Sequence, residues 1–371
     1  MGDSSRNPIT YRALNRALLA RQMLLAREQT SAIGAIERLM GMQAQQIRPP
    51  FVGLWTRLQD FDRESLVELL RQRKAVRATL MRGTLHIVSS KDYLNFRTAI
   101  QPALTAGMRA ILKTRDALFD QSAVVDAASR CFAQRSQTFV EVRTALAAQF
   151  PGVDERSMGY LARTCIPLIM EPDDSEFAFA ASRFFSAESW LGRPISAKEC
   201  TADLVLRYLA AFGPATIADA QAWSSIPNLA PVFAALRPRL VTFPRPRKSE
   251  LFDLPRAPRP HEDVPAPIRF VPAFDNLILS HADRTRIIAD EHRARVSTKN
   301  LQILATFLID GFVAGTWEIQ ETKKKASLTM SPFAAVPRNV KSELVHEAEK
   351  LVRFACKGAS SFDVVLTSPQ S

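Results

Sequence analysis

Histidine and cysteine are scarce in this chain, five and four among 371 residues, and neither is grouped. Cys131, Cys165, Cys200 and Cys356 lie too far apart for a zinc ribbon and are too few for a disulfide scaffold, so they are expected as reduced core thiols. His261-Glu-Asp263 and His281-Ala-Asp283 lack convincing metal-ligand spacing, and no metal or other cofactor is expected. No apolar run approaches the roughly 20 residues of a membrane span. The opening Met1-Gly-Asp-Ser-Ser-Arg6 lacks a charged-then-apolar leader pattern, and Arg6 stands where an acylation site wants Ser or Thr. A cytoplasmic, nucleoid-associated monomer is the expectation. Acidic residues are also short, 37 against 49 Lys and Arg, leaving a net charge of +12. That excess suits a protein that meets a phosphate backbone.

Punctuation divides the chain into four expected units. The first, 8–118, opens with an amphipathic helix over Leu14–Leu25, adds two more helices, ends in a strand over Thr79–Val88 and is followed by a linking helix from Tyr93 to about Leu118. In the second, 119–194, Thr138-Phe-Val-Glu141 reads as a capping box, 156–170 as a helix and 177–185 as a wing. In the third, 195–264, a helix stops at Gly213-Pro214, Thr216 caps the next, Pro231 opens another, and strands follow around 240–254. The fourth, 265–371, is β-rich with a last helix over 339–356. Helix, turn, helix and wing recur three times without a simple sequence repeat. The expected fold class is therefore α+β, mostly helical, with three tandem winged-helix units and a C-terminal β-domain.

The element with the most chemical content is Gln43-Ala44-Gln45. Ser31–Met40 spaces Ile33, Ile36, Leu39 and Met40 helically, Gly41 is suited to leave that helix, and Pro49-Pro50 follow. In an extended segment residues two apart project to one side, so Gln43 and Gln45 point together. Two amides offer donors and acceptors enough to hold a water or a developing charge. A solvated loop is the plainer reading of such a tripeptide.

Arg38–Leu58 around this tripeptide and Leu80-Met-Arg-Gly-Thr-Leu-His-Ile-Val88 resemble the winged-helix DNA glycosylases of the AlkZ/YcaQ type. The segments 206–223, Pro272-Ala-Phe-Asp-Asn-Leu-Ile-Leu-Ser-His-Ala-Asp-Arg284 and Asp310-Gly-Phe-Val-Ala-Gly-Thr-Trp317 continue the similarity in order, from about Tyr11 to Lys357. In that family a Gln-apolar-Gln element marks the AlkZ-like branch, while the other branch ends the element in Asp. Gln43 and Gln45 match the first pattern, and Gln46 departs by standing where relatives often carry an acid. The resemblance implies hydrolysis of the N-glycosidic bond of N7-alkylguanine in double-stranded DNA, including bulky adducts or interstrand crosslinks. It makes Gln43 and Gln45 the catalytic pair. A noncatalytic winged-helix regulator is the alternative of a different class.

Candidate DNA contacts are Arg48, Arg82, Thr84, His86, Arg245, Arg247 and Lys248. Read as one strand, 81–87 puts Arg82, Thr84 and His86 on a polar face. Arg82 would meet a phosphate and His86 would lie beside the glutamines; an ion-pair partner and a satisfied interior group are the structural counterparts. Residues 237–260 hold six prolines and seven basic residues against Glu250 and Asp253. They read as a basic wing tracking the backbone through Arg245, Arg247 and Lys248, or equally as a solvated linker. Asp275 and Asp283 are read as turn caps and ion-pair partners, Asp173-Asp174 as a wing turn, and Lys323–Lys325 as a solvated hairpin turn.

Overall fold

Local caps set where most helices begin. In the computed structural model, which describes residues 9–113, 119–245, 249–298 and 302–369, the Thr10 hydroxyl accepts from Ala13 N to start α1 (Tyr11–Arg21). This helix ends sooner than its apolar pattern suggests, because Met23 turns to φ 56°. Ser31 caps α2 (Ala32–Arg38), which leads into the short β1 (Met42–Gln43). Pro49 and Pro50 open α3 (Pro49–Trp55), where a missing N–H costs nothing. Then come α4 (Arg63–Arg71), β2 (Ala75–Thr79), β3 (Leu85–Ser89) and the long α5 (Ser90–Lys113).

The single strand expected over Thr79–Val88 is instead a hairpin. Leu80 N bonds Thr84 O, and Arg82 and Gly83 both take positive φ, 57° and 68°, to make the turn between β2 and β3. Alternating polarity runs on through the turn, so period two alone does not reveal it.

α6 (Gln121–Gln134) precedes α7 (Phe139–Gln149), whose Thr138/Glu141 capping box forms as expected. α8 (Glu155–Cys165) stops short of the expected Met170, since Ile166 precedes Pro167 and is held extended. The remainder becomes β4 (Leu168–Met170), followed by β5 (Phe184–Ser186) and α9 (Ala187–Leu191). α10 (Thr201–Phe212) ends at Gly213, α11 (Ile217–Ser224) is capped by Thr216, and α12 (Ala230–Leu236) carries Pro231 in its first turn. β6 (Val241–Phe243) and β7 (Leu251–Asp253) form a two-stranded antiparallel sheet. The last part contains β8 (Arg269–Val271), α13 (Asn276–Leu279), α14 (Arg293–Val296), β9 (Thr306–Ile309), β10 (Phe312–Glu321), β11 (Lys325–Pro332), α15 (Arg338–Ala355) and β12 (Ser361–Leu366).

Two features bind the expected units together. The sheet β1-β3-β2-β4-β5 crosses from the first to the second, with Arg77 paired to Met170 and Ala78 to Ile169. One buried cluster joins Leu18, Tyr93, Ile169, Tyr208, Leu277 and Leu308, drawn from all four. The second sheet runs β12-β11-β10-β9-β8, and α15 covers it with Leu344, Ala348, Leu351 and Val352. Among the described residues no helix is long and apolar enough to cross a membrane.

Candidate active site

Gln43 owes its position to the way α2 ends. Gly41 N bonds Ile36 O at 2.9 Å and Gly41 takes φ +85°, turning the chain sharply into β1. A Cβ there would lie 3.2 Å from Ile87 O, so the close approach to β3 also favours glycine. β1 then pairs with β3 in the register Met42 to Ile87 and Gln43 to His86, and Ala44 N adds a bond to Leu85 O.

Both glutamines rest on the β2–β3 hairpin. Gln43 is 7% exposed, and its Oε1 accepts from Arg82 Nη2 at 2.9 Å. Gln45 is exposed, with Oε1 3.4 Å from Leu85 N, a long contact that leaves the amide free to turn. The backbone between them is also held. Buried Arg77 donates to Ala44 O at 2.9 Å and to Gln45 O at 3.3 Å.

Arg82 forms no ion pair among the described residues; its guanidinium is engaged by amide and carbonyl oxygens. Besides Gln43 it binds Trp223 O at the end of α11 at 2.7 Å and Asn276 Oδ1 on α13 at 2.9 Å. Asn276 in turn donates from Nδ2 to Gly41 O at 3.1 Å. Burial, with Arg284 adding repulsion, lowers the Arg82 pKa to about 10, and burial does the same to Arg77. Both remain cations at neutral pH.

His86 takes the interior reading. It has no exposed surface, so the expected DNA contact does not exist in this conformation. Its Nδ1 is 3.0 Å from Thr84 O, which fixes the proton on Nδ1 because a carbonyl only accepts. Nε2 has no partner. Burial, then the charge of Arg82, pushes the pKa down to about 3, leaving a neutral imidazole. Thr84 donates its hydroxyl to Met81 O inside the turn.

The outer candidates separate clearly. Arg48 has a 55% exposed side chain, bonded to Glu321 at 2.7 Å and near the Phe177 ring. A screened surface pair of this kind exchanges readily for a phosphate. Arg245 is only 9% exposed, donates to the Tyr11 hydroxyl and pairs with Asp283 at 3.3 Å. Arg237 likewise pairs with Glu250, and Arg259 with Asp253. Three of the seven basic residues of this segment, Arg237, Arg245 and Arg259, are thus engaged with carboxylates, and Arg245 is the least exposed of them. Arg247 and Lys248 lie outside the described residues.

Asp275 has the capping and ion-pair role expected of it. It accepts from Leu277 N and grips Arg57 at 2.9 and 2.8 Å. Asp275, Asn276 and Gln43 border a water-sized cavity of about 10 Å³. On the other side of Arg82 a cleft of about 370 Å³ is lined by Gly83, Ala103, Gly107, Tyr160 and Arg163. Arg163 is exposed and stacks 4.7 Å from the Phe139 ring. Among the described residues no group of three or more His, Cys, Asp or Glu is placed to hold a metal ion. Asn276, Arg77, Tyr160 and Arg163 were not singled out from the sequence. Only Asn276 lay in a segment already marked by resemblance, and nothing in its spacing ties it to Gln43.

Similarity to known proteins extends over most of the chain. An "Interstrand DNA cross-link repair glycosylase" from Streptomyces sahachiroi is 26% identical over 361 residues, covering 90% of this chain and 94% of that protein. The solved structure of Streptomyces sahachiroi DNA glycosylase AlkZ superposes with a TM-score of 0.78 at 23% identity, over 97% of this chain and 100% of that one, and shares the mixed α+β fold. The family described as DNA glycosylase AlkZ-like matches residues 36–354, which is most of the chain, and the protein belongs to that family.

Proposed function

We propose that this protein is a monofunctional DNA glycosylase that hydrolyses the N-glycosidic bond of N7-alkylguanine, including bulky adducts and interstrand crosslinks. The name of the Streptomyces relative supports crosslinks as substrates. The observation that carries the reading is the pair Gln43 and Gln45, two amides set on one hairpin beside a histidine held neutral. In this reading the helix-and-hairpin parts form three winged-helix units, which with the C-terminal β-domain enclose duplex DNA as a monomer. Arg48 and Arg163 meet its phosphates.

An alkyl group on N7 makes guanine cationic, so the base departs neutral and needs little protonation. What remains is to place a water and to stabilise the sugar as it gains oxocarbenium character. Preorganised amides do both by hydrogen bonding, and the DNA phosphates offset the sugar's charge. Self-resistance to a DNA-alkylating toxin is the biological setting this chemistry suits.

The test is incubation with duplex carrying N7-methylguanine or a defined N7-guanine crosslink, followed by alkaline cleavage of abasic sites. Strand breaks at the lesion should exceed spontaneous depurination. Gln43→Ala and Gln45→Ala should each slow single-turnover excision by about two to three orders of magnitude, with little change in DNA affinity. A regulator built on the same fold would release no base, and folded variants at wild-type rate would remove the glutamines from the mechanism.

A further inference from the structure

We propose that Arg82 and Asn276 are positioning residues that lock the Gln43 amide in one orientation, so that Gln43 serves DNA as a hydrogen-bond donor and accepting falls to Gln45. The inference deepens the glycosylase reading and rests on it. A guanidinium has only donors, so a side-chain amide facing it must present oxygen. Arg82 Nη2 lies 2.9 Å from Gln43 Oε1 and 2.9 Å from Asn276 Oδ1, which sets both amides at once. Asn276 confirms its own orientation independently, because its Nδ2 donates to Gly41 O.

The Gln43 Nε2 is left with no acceptor among the described residues. Hydrogen bonding of its oxygen to a cation also polarises the amide and strengthens that NH₂ as a donor. It is therefore suited to an oxygen of the nucleophilic water or of a DNA phosphate. Gln45 differs: it is exposed, and among the described residues its oxygen has only the long contact to Leu85 N. That oxygen is the acceptor available for a water proton.

Other features mark the clamp as more than packing. Arg82 sits at φ 57° in a hairpin turn, a conformation that a non-glycine residue keeps only when its surroundings hold it there. Its contacts are two amide oxygens and one carbonyl, with no carboxylate among the described partners. These partners come from β1, the end of α11 and the start of α13. The orientation of Gln43 thus depends on three distant parts of the chain being assembled.

The experiment compares single-turnover excision of N7-methylguanine at saturating protein for the full chain and its variants. Gln43→Glu keeps an oxygen on Arg82 and removes the donor, so it should lose about as much rate as Gln43→Ala. Gln45→Glu keeps an acceptor and should lose at least tenfold less than Gln45→Ala. Arg82→Gln frees the Gln43 amide to flip and should slow excision roughly ten- to a hundredfold, with DNA affinity and its salt dependence unchanged. Should Arg82→Gln fail to fold, the two glutamate variants still decide. A Gln43→Glu protein that excises at the wild-type rate would overturn the proposal, as would an Arg82→Gln protein that keeps its rate but loses about one unit of salt slope. If the wild-type protein releases no base, the glycosylase reading has failed, not merely this division of labour.

Discussion

His86 provides the sharpest check on how the base departs. An imidazole of ordinary pKa, about 6.5, is roughly one-quarter protonated at pH 7 and can serve as a general acid. Burial and Arg82 bring His86 to about 3, which leaves about one molecule in ten thousand protonated at that pH. If excision needed the imidazolium, its rate would drop about tenfold for each pH unit between 6 and 8. A site that only positions water and sugar should be flat across that range, and it should leave neutral uracil and hypoxanthine in place. The assay is single-turnover release of N7-methylguanine, uracil and hypoxanthine from matched duplexes, with spontaneous depurination subtracted at each pH. The range stops at pH 6 for a reason of linkage. Because the folded pKa is depressed, the unfolded chain binds the proton first, so stability is complete above about 6.5 and falls as pH decreases. At pH 6 the loss from His86 is still under about 1 kcal/mol. A steep fall in rate with rising pH, or efficient uracil release, would refute the reasoning.

Two further outcomes follow from the charges. Replacing Arg48 and Arg163 together with Ala should shallow the slope of log affinity against log salt by about one to two units, whereas Arg245→Ala, already paired with Asp283, should leave it unchanged; the opposite pattern would restore the basic wing as the phosphate track. Asp275→Ala strands the buried Arg57 and should cost about 3–5 kcal/mol in urea unfolding, and a loss below about 1 kcal/mol would show that water reaches the guanidinium.

What the sequence made legible was local. Thr138 and Thr216 name helix starts because each satisfies donors within three residues of itself. Gly41 names an exit because few other residues take its φ. The glutamine pair could be read only as two amides spaced along an extended segment; β1 ends at Gln43, which is buried, and leaves Gln45 exposed beyond it. The hairpin at Arg82 could not, since its polar alternation continues through the turn and an arginine gives no sign of adopting positive φ. Asn276 was beyond reach for another reason: its link to Gly41 and Arg82 exists only once α13 docks beside β1, a contact that no periodicity encodes.

The basic balance was legible as a number but not as a surface. Where an arginine meets a carboxylate, as Arg57 meets Asp275 and Arg21 meets Asp253, the charges cancel and the net of +12 is unaffected. Arg77, Arg82, Arg97 and Arg269 are different, because their described hydrogen bonds end on carbonyl and amide oxygens, which cancel nothing. Part of the excess charge therefore lies inside the protein, and two of these cations sit directly beneath residues 43–45. Burial first, and then the charge of Arg82, keep His86 from protonating. Arg77 and Arg82 thus brace the segment that carries Gln43 and Gln45 while no acid forms beside it, which is why leaving groups that are already cationic are the chemistry the proposed site best suits.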